Sequence, residues 1–169
     1  ERRALTTDEI HRLLDAARNR GLIAALTVSR GPNAGKLVAN IRDDIRSQIV
    51  ARGRERALCY LLALTTGLRR GELASLTIAD VTLNSNAPCL IVRAENEKAR
   101  RGASLPLRTD VAAELSYALE RRLAERQANA REAGEPLPLK LLDDEPLVRL
   151  PVPLTFNKDL KYAGIAQKD

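Results

Sequence analysis

The sequence predicts a mainly helical domain with one small antiparallel β-sheet, an α+β class, and three observations carry that expectation. Apolar residues make up 44% of the chain, but 28 are Leu, 25 are Ala and only four are aromatic. Such a composition fills a core between helices through small and γ-branched side chains. Long stretches repeat their apolar residues every three or four positions, the period of an amphipathic helix. A single pair of short alternating runs flanks a charged loop, which suits a hairpin and is too little for a β-sandwich. The 169 residues fit one domain at ~150 residues per domain. A chain of that length buries roughly 70% of its extended surface without help from disulfides or metal.

The elements follow in order. Thr6 and Glu9 form a capping box, and Ile10, Leu13, Leu14 and Ala17 share one face of a first helix that runs to about Arg20. Ser29 to Gly35 holds two Gly, a Pro and an Asn and reads as a surface loop. Ile41, Ile45, Ile49 and Val50 resume a helical period until Gly53, where a break is expected. From Arg54 to Thr66 the helix is apolar nearly all round, as in the middle of a bundle, with Gly67 its left-handed C-cap. A short helix from Arg70 to about Leu76 is followed by alternation from Ile78 to Leu83 and a turn at Asn84-Ser85-Asn86. Cys89 to Ala94 and Ala103 to Leu107 read as two strands joined by the charged loop Glu95 to Gly102. Thr109-Asp110 is placed to cap a long helix ending before Gly134. Five prolines make the segment up to Pro153 irregular, and a last helix spans Thr155 to about Ala163.

The net charge of +6 comprises 22 Arg and six Lys against 22 acidic residues. The planar fork of Arg makes bidentate contacts to phosphate, so the balance points to a polyanionic partner, with compositional bias from a GC-rich genome as the bland alternative. Cys59 and Cys89 sit in apolar runs and read as buried free thiols in a reducing compartment. One histidine, with no C-x-x-C or H-x-x-H spacing, leaves almost no ligands for zinc. No apolar run approaches a membrane span, and the N-terminus does not read as a signal sequence. The absence of Met and the opening Glu1-Arg2-Arg3 suggest a piece of a longer protein.

The segment Thr65 to Leu76, TTGLRRGELASL, is the most informative. It puts Arg69 and Arg70 in the first turn of a helix, where the dipole repels cations, and such local violations mark functional sites. A phosphate there turns the repulsion into joint attraction, and Glu72 is spaced to hold one guanidinium in place. An exposed Arg pair with a local Glu salt bridge is the structural alternative.

The run TTGLRRGELASLTIADV resembles the first arginine box of the tyrosine recombinases, the phage integrases and Xer-type enzymes, with pattern T-G-[LM]-R-x-[SG]-E-[LI]-x-x-L and a following x-x-D-[VI]. The resemblance implies that Arg69 binds the scissile phosphate and stabilises the transition state, with Arg70 on a variable position. The hairpin is similar too: Lys98, eight residues before Pro106, matches the family's loop lysine, a general acid for the leaving 5′ oxygen. Arg100 and Arg101 beside it, with Arg70, are expected phosphate contacts. The tail FNKDLKYAGI resembles the family's F-x-x-[DA]-L-x-x-A-G-I, which leads into an H-x-x-R box; the sequence has only His11 and no such box. Tyr60, Tyr117 and Tyr162 do not match the nucleophile's place and read as packing residues.

Residues 1–169 are thus expected to be the N-terminal part of a recombinase catalytic domain, without the core-binding domain. The intact protein is expected to cleave and rejoin duplex DNA through a 3′-phosphotyrosine, in the cytoplasm at the nucleoid, as a homo-tetramer without metal or other cofactor. The fragment itself is expected to be monomeric and inactive. A non-enzymatic DNA-binding module is the runner-up. Lys98→Ala in the full-length protein separates the two, slowing cleavage if Lys98 is an acid and lowering the salt slope of binding if it is a phosphate contact. A helical interaction domain and a type IB topoisomerase rank below these.

Overall fold

The computed structural model describes residues 4–96 and 101–165. The chain forms two compact units, one of Glu1–Tyr60 with Pro151–Asp169 and one of Leu61–Leu150.

In the first unit, Thr6 opens α1 (Thr7–Leu26) with the expected capping box. Its hydroxyl accepts from the Glu9 N–H at 3.2 Å, and the Glu9 carboxylate accepts from the Thr6 N–H at 2.9 Å. The helix does not stop near Arg20 but continues through Gly21 to Leu26. Gly is a poor helix former, yet a Cβ at Gly21 would lie 3.3 Å from the Ile49 side chain, so close packing prevails over propensity. The expected break at Gly53 is also absent, because α2 runs unbroken over Asp43–Thr66. A Cβ at Gly53 would overlap the Arg18 carbonyl oxygen and lie 3.2 Å from that of Ala17. This glycine serves the near-contact of two backbones rather than a helix end.

The helix α5 begins at Pro153, two residues before its expected start, because Pro suits the first helical position, where no N–H is needed. It spans Pro153–Tyr162 and packs on α1. The Arg12 guanidinium donates to the Ala163 carbonyl at 2.7 Å. Asp159, wholly buried on α5, gathers three partners: Arg20 Nε at 2.6 Å, Tyr60 Oη at 2.8 Å and Arg56 Nε at 3.3 Å. Burial, reinforced by the Asp159 carboxylate, pushes the Tyr60 hydroxyl well above its ordinary pKa. The Phe156 ring meets Tyr60 edge-on, with centroids 5.3 Å apart.

The second unit starts with the last turn and a half of α2, followed by α3 (Arg70–Ser75) and a 3-10 turn (Ile78–Asp80). Three strands, β1 (Val81–Thr82), β2 (Cys89–Val92) and β3 (Ala103–Pro106), then form an antiparallel sheet in the order β1-β2-β3. Leu90 pairs with Val81 on one side and Leu105 on the other. The alternation from Ile78 to Leu83 resolves into the turn and β1, since Asp80 caps the turn instead of continuing a strand. Leu90 and Val92 are buried while Ile91 between them is exposed, the period of a sheet covered on one face. Cys89 is therefore only half-buried, unlike Cys59, and the two do not form a disulfide.

The long helix α4 (Thr109–Ala133) ends on Gly134 in the left-handed region, φ 70°. Its N-cap is Arg108, without a side-chain cap, so Thr109 and Asp110 do not cap it as expected. Asp110 instead accepts from the Arg108 guanidinium at 2.7 and 3.1 Å, which holds its carboxyl below the usual range. The proline-rich stretch is irregular but fastened: Leu147 N–H donates to Leu76 O at 2.9 Å, and Arg122 donates to the carbonyls of Pro146 and Leu147 at 2.9 and 3.1 Å. Leu73, Leu76, Leu90, Val111, Leu115 and Leu147 form the heart of this unit.

Tyr117 and Tyr162 are 59% and 49% exposed. Their expected packing role is corrected, since only Tyr60 among the three points inward. Among the described residues, no helix is long and apolar enough to cross a membrane.

Candidate functional site

The site lies where α2 gives way to α3. Thr66 closes α2 with its hydroxyl on the Leu62 carbonyl at 2.6 Å, and Gly67 turns the chain at φ 68°. That turn sets Arg69 as the N-cap of α3, with Arg70 its first residue. Glu72 then makes two contacts to one residue: its carboxylate accepts from the Arg69 N–H at 2.8 Å and from the Arg69 Nη1 at 3.1 Å. The Glu72 side chain is only 9% exposed, against 64% for Arg69. A buried carboxylate thus holds the near edge of a guanidinium whose other donors face solvent. Leu73, almost wholly buried next to it, fixes the helix to the core. The pair is worth ~0.2–1 kcal/mol of stability at such exposure, so its consequence is orientation of the guanidinium. Arg70 is exposed as well.

A second polar cluster lies eight residues on. Asp80, 4% exposed, accepts from the Thr77 N–H at 2.8 Å, the Thr77 hydroxyl at 2.9 Å and Arg93 Nε at 2.8 Å. Arg93 directly follows β2, so this cluster anchors one root of the loop expected to carry the general acid. At the other root, a Cβ on Gly102, φ 72°, would press within 3.3 Å of the Val92 carbonyl. Lys98 and Arg100 lie outside the described residues; Arg101 is exposed beside Gly102. The structure therefore joins Arg69 and Glu72 as expected and leaves Arg70 and Arg101 on the surface.

Asp80 carries a legible signal in the sequence, a Thr-x-x-Asp capping spacing, but its tie to Arg93 is visible only in the fold. Burial alone pushes its carboxyl up, and the bonds from Thr77 and Arg93 outweigh that and hold it below the ordinary range. A depressed native value contributes stability above the unfolded value of ~3.9, which is lost as pH falls through the native one. Urea midpoints of the unmodified chain and Asp80→Asn should differ most at neutral pH and converge on acidification. Equal midpoints at neutral pH contradict this assignment. No family model, curated protein or solved structure matches the chain.

Proposed function

We propose that this chain supplies the phosphate-binding part of a DNA strand transferase of the tyrosine-recombinase kind, and that it engages duplex DNA through its backbone. The observation that carries this reading is Arg69, an exposed guanidinium held along one edge by the buried Glu72 inside the segment TTGLRRGELASL. Held in this way, Arg69 keeps its remaining N–H donors for two oxygens of one phosphate. During strand transfer that contact bears the charge that grows on the phosphate oxygens as the nucleophile attacks. Arg70 and Arg101 add sequence-independent contacts along the backbone. The role of Lys98, to protonate the leaving 5′ oxygen, follows from the family resemblance.

Of the chain's own tyrosines, Tyr60 donates its hydroxyl to Asp159 and is held protonated by burial, which makes it a poor nucleophile. Tyr117 and Tyr162 lie on α4 and α5, away from the pattern's nucleophile position. In this reading, covalent attack belongs to a tyrosine outside these 169 residues, and the chain alone binds DNA without forming an adduct. Titration with duplex DNA across a salt series tests the reading. The logarithm of the binding constant should fall linearly with that of salt, by ~0.9 per phosphate contact. No binding at roughly 50 mM salt overturns it.

A further inference from the structure

The connection between α1 and α2 has features that the site at Arg69 does not use. No acidic residue occurs between Asp15 and Asp43, while Arg18, Arg20, Arg30, Lys36 and Arg42 all fall in that interval. Arg18, Arg20 and Arg42 pair with Asp15, Asp159 and Asp44. Arg30 and Lys36 have no carboxylate partner among the described residues, and Lys36 spends one of its three donors on Asn33 at 3.1 Å. Every residue from Ser29 to Val38 is exposed. Leu37 and Val38, adjacent in sequence, are 57% and 60% exposed.

This loop is fastened by its own backbone. Gly35 N–H donates to Val28 O at 2.8 Å, and Val28 N–H to Lys36 O at 3.0 Å, which closes the neck. Inside it, Ala34 N–H reaches Gly31 O and Lys36 N–H reaches Asn33 O, both at 3.0 Å. Gly31 and Gly35 supply the left-handed turns, φ 86° and 82°. A loop already folded loses little conformational freedom when it docks.

We propose that this loop is a second duplex-contact element, with Arg30 and Lys36 each neutralising a phosphate and Leu37 and Val38 lying against the sugar edges of the minor groove. Two unneutralised cations beside an apolar pair match that surface, where phosphates flank apolar deoxyribose and apolar side chains wedge in. The inference rests on the duplex-binding reading above and extends it to a separate element.

The test compares the unmodified chain with Arg30→Ala/Lys36→Ala, Leu37→Ser/Val38→Ser and Arg69→Ala, each checked for an unchanged far-ultraviolet circular dichroism spectrum. Losing two phosphate contacts makes the salt slope shallower by about 1.8 units, so the fall in affinity between roughly 50 and 200 mM salt shrinks by about tenfold. The Leu37/Val38 variant weakens binding severalfold and leaves the slope unchanged. If the double charge variant keeps the full slope while Arg69→Ala loses part of it, the loop proposal is overturned and the duplex-binding reading survives. If the loop variants alone lose affinity, the loop stands and the role of Arg69 fails. Absence of duplex binding, or equal loss of binding to an acidic polypeptide, overturns the loop proposal.

Discussion

Asp159→Ala is expected to lower stability by ~3–5 kcal/mol, the range for breaking a buried ion pair from one side. The carboxylate, on α5, is fully buried and is approached by two guanidiniums and a phenol from two other stretches of chain, Arg20 on α1 and Arg56 and Tyr60 on α2. Removing it leaves Arg20 and Arg56, whose side chains are only 20% and 17% exposed, with positive charge and no counterion. The Tyr60 hydroxyl then also loses its acceptor. Tyr60→Phe deletes a single bond to a charged group and should cost ~1.5–3 kcal/mol. It is the variant to measure if Asp159→Ala does not fold. Urea unfolding followed by circular dichroism gives both values. A loss below ~1 kcal/mol for Asp159→Ala would show that the cluster holds nothing that packing alone does not.

Gly53→Ala should destabilise, against the ordinary direction of that change in a helix. In an open helix the substitution stabilises by ~1 kcal/mol. At Gly53 the new methyl group meets the backbone of Arg18, which has no rotamer to swing aside. The helices must part, which also stretches the 2.7 Å bond from Arg56 Nη2 to the Ala17 carbonyl. Overpacking of this kind costs ~1–3 kcal/mol, enough to reverse the sign. Gly71→Ala is the control, because no neighbour lies within 4 Å of the place its methyl group would take and the substitution should follow the propensity. A stabilising effect of Gly53→Ala, matching that of Gly71→Ala, contradicts the close approach of α1 and α2 within their unit.

What the sequence shows well and what it hides have different physical origins. The capping box at Thr6, the left-handed Gly67, the end of α4 before Gly134 and a hairpin whose strands start at Cys89 and Ala103, though they end earlier than the expected Ala94 and Leu107, are local features, decided by neighbours a few residues apart. The two helical glycines are not. Locally, Gly21 and Gly53 signal weakness; the packed helix makes Gly21 a tight contact with the Ile49 side chain and turns Gly53, against the Arg18 backbone, into a requirement for a missing side chain. Asp159 is hidden for the same reason, because its partners lie 139, 103 and 99 residues away. At the candidate site, the Arg69–Glu72 pair is an i, i+3 contact and readable from spacing. The tie from Asp80 to Arg93 spans a turn and a strand and becomes visible only with the fold.

Everything proposed for the site depends on Arg69 being a phosphate ligand presented by Glu72. The most direct test is the salt dependence of duplex-DNA binding by Arg69→Ala measured beside the unmodified chain. Loss of one phosphate contact should make the slope shallower by about 0.9 units, with secondary structure unchanged, since the side chain is 64% exposed. An identical slope and affinity for the two proteins contradicts that role, because an exposed arginine that DNA does not feel is only a surface salt bridge.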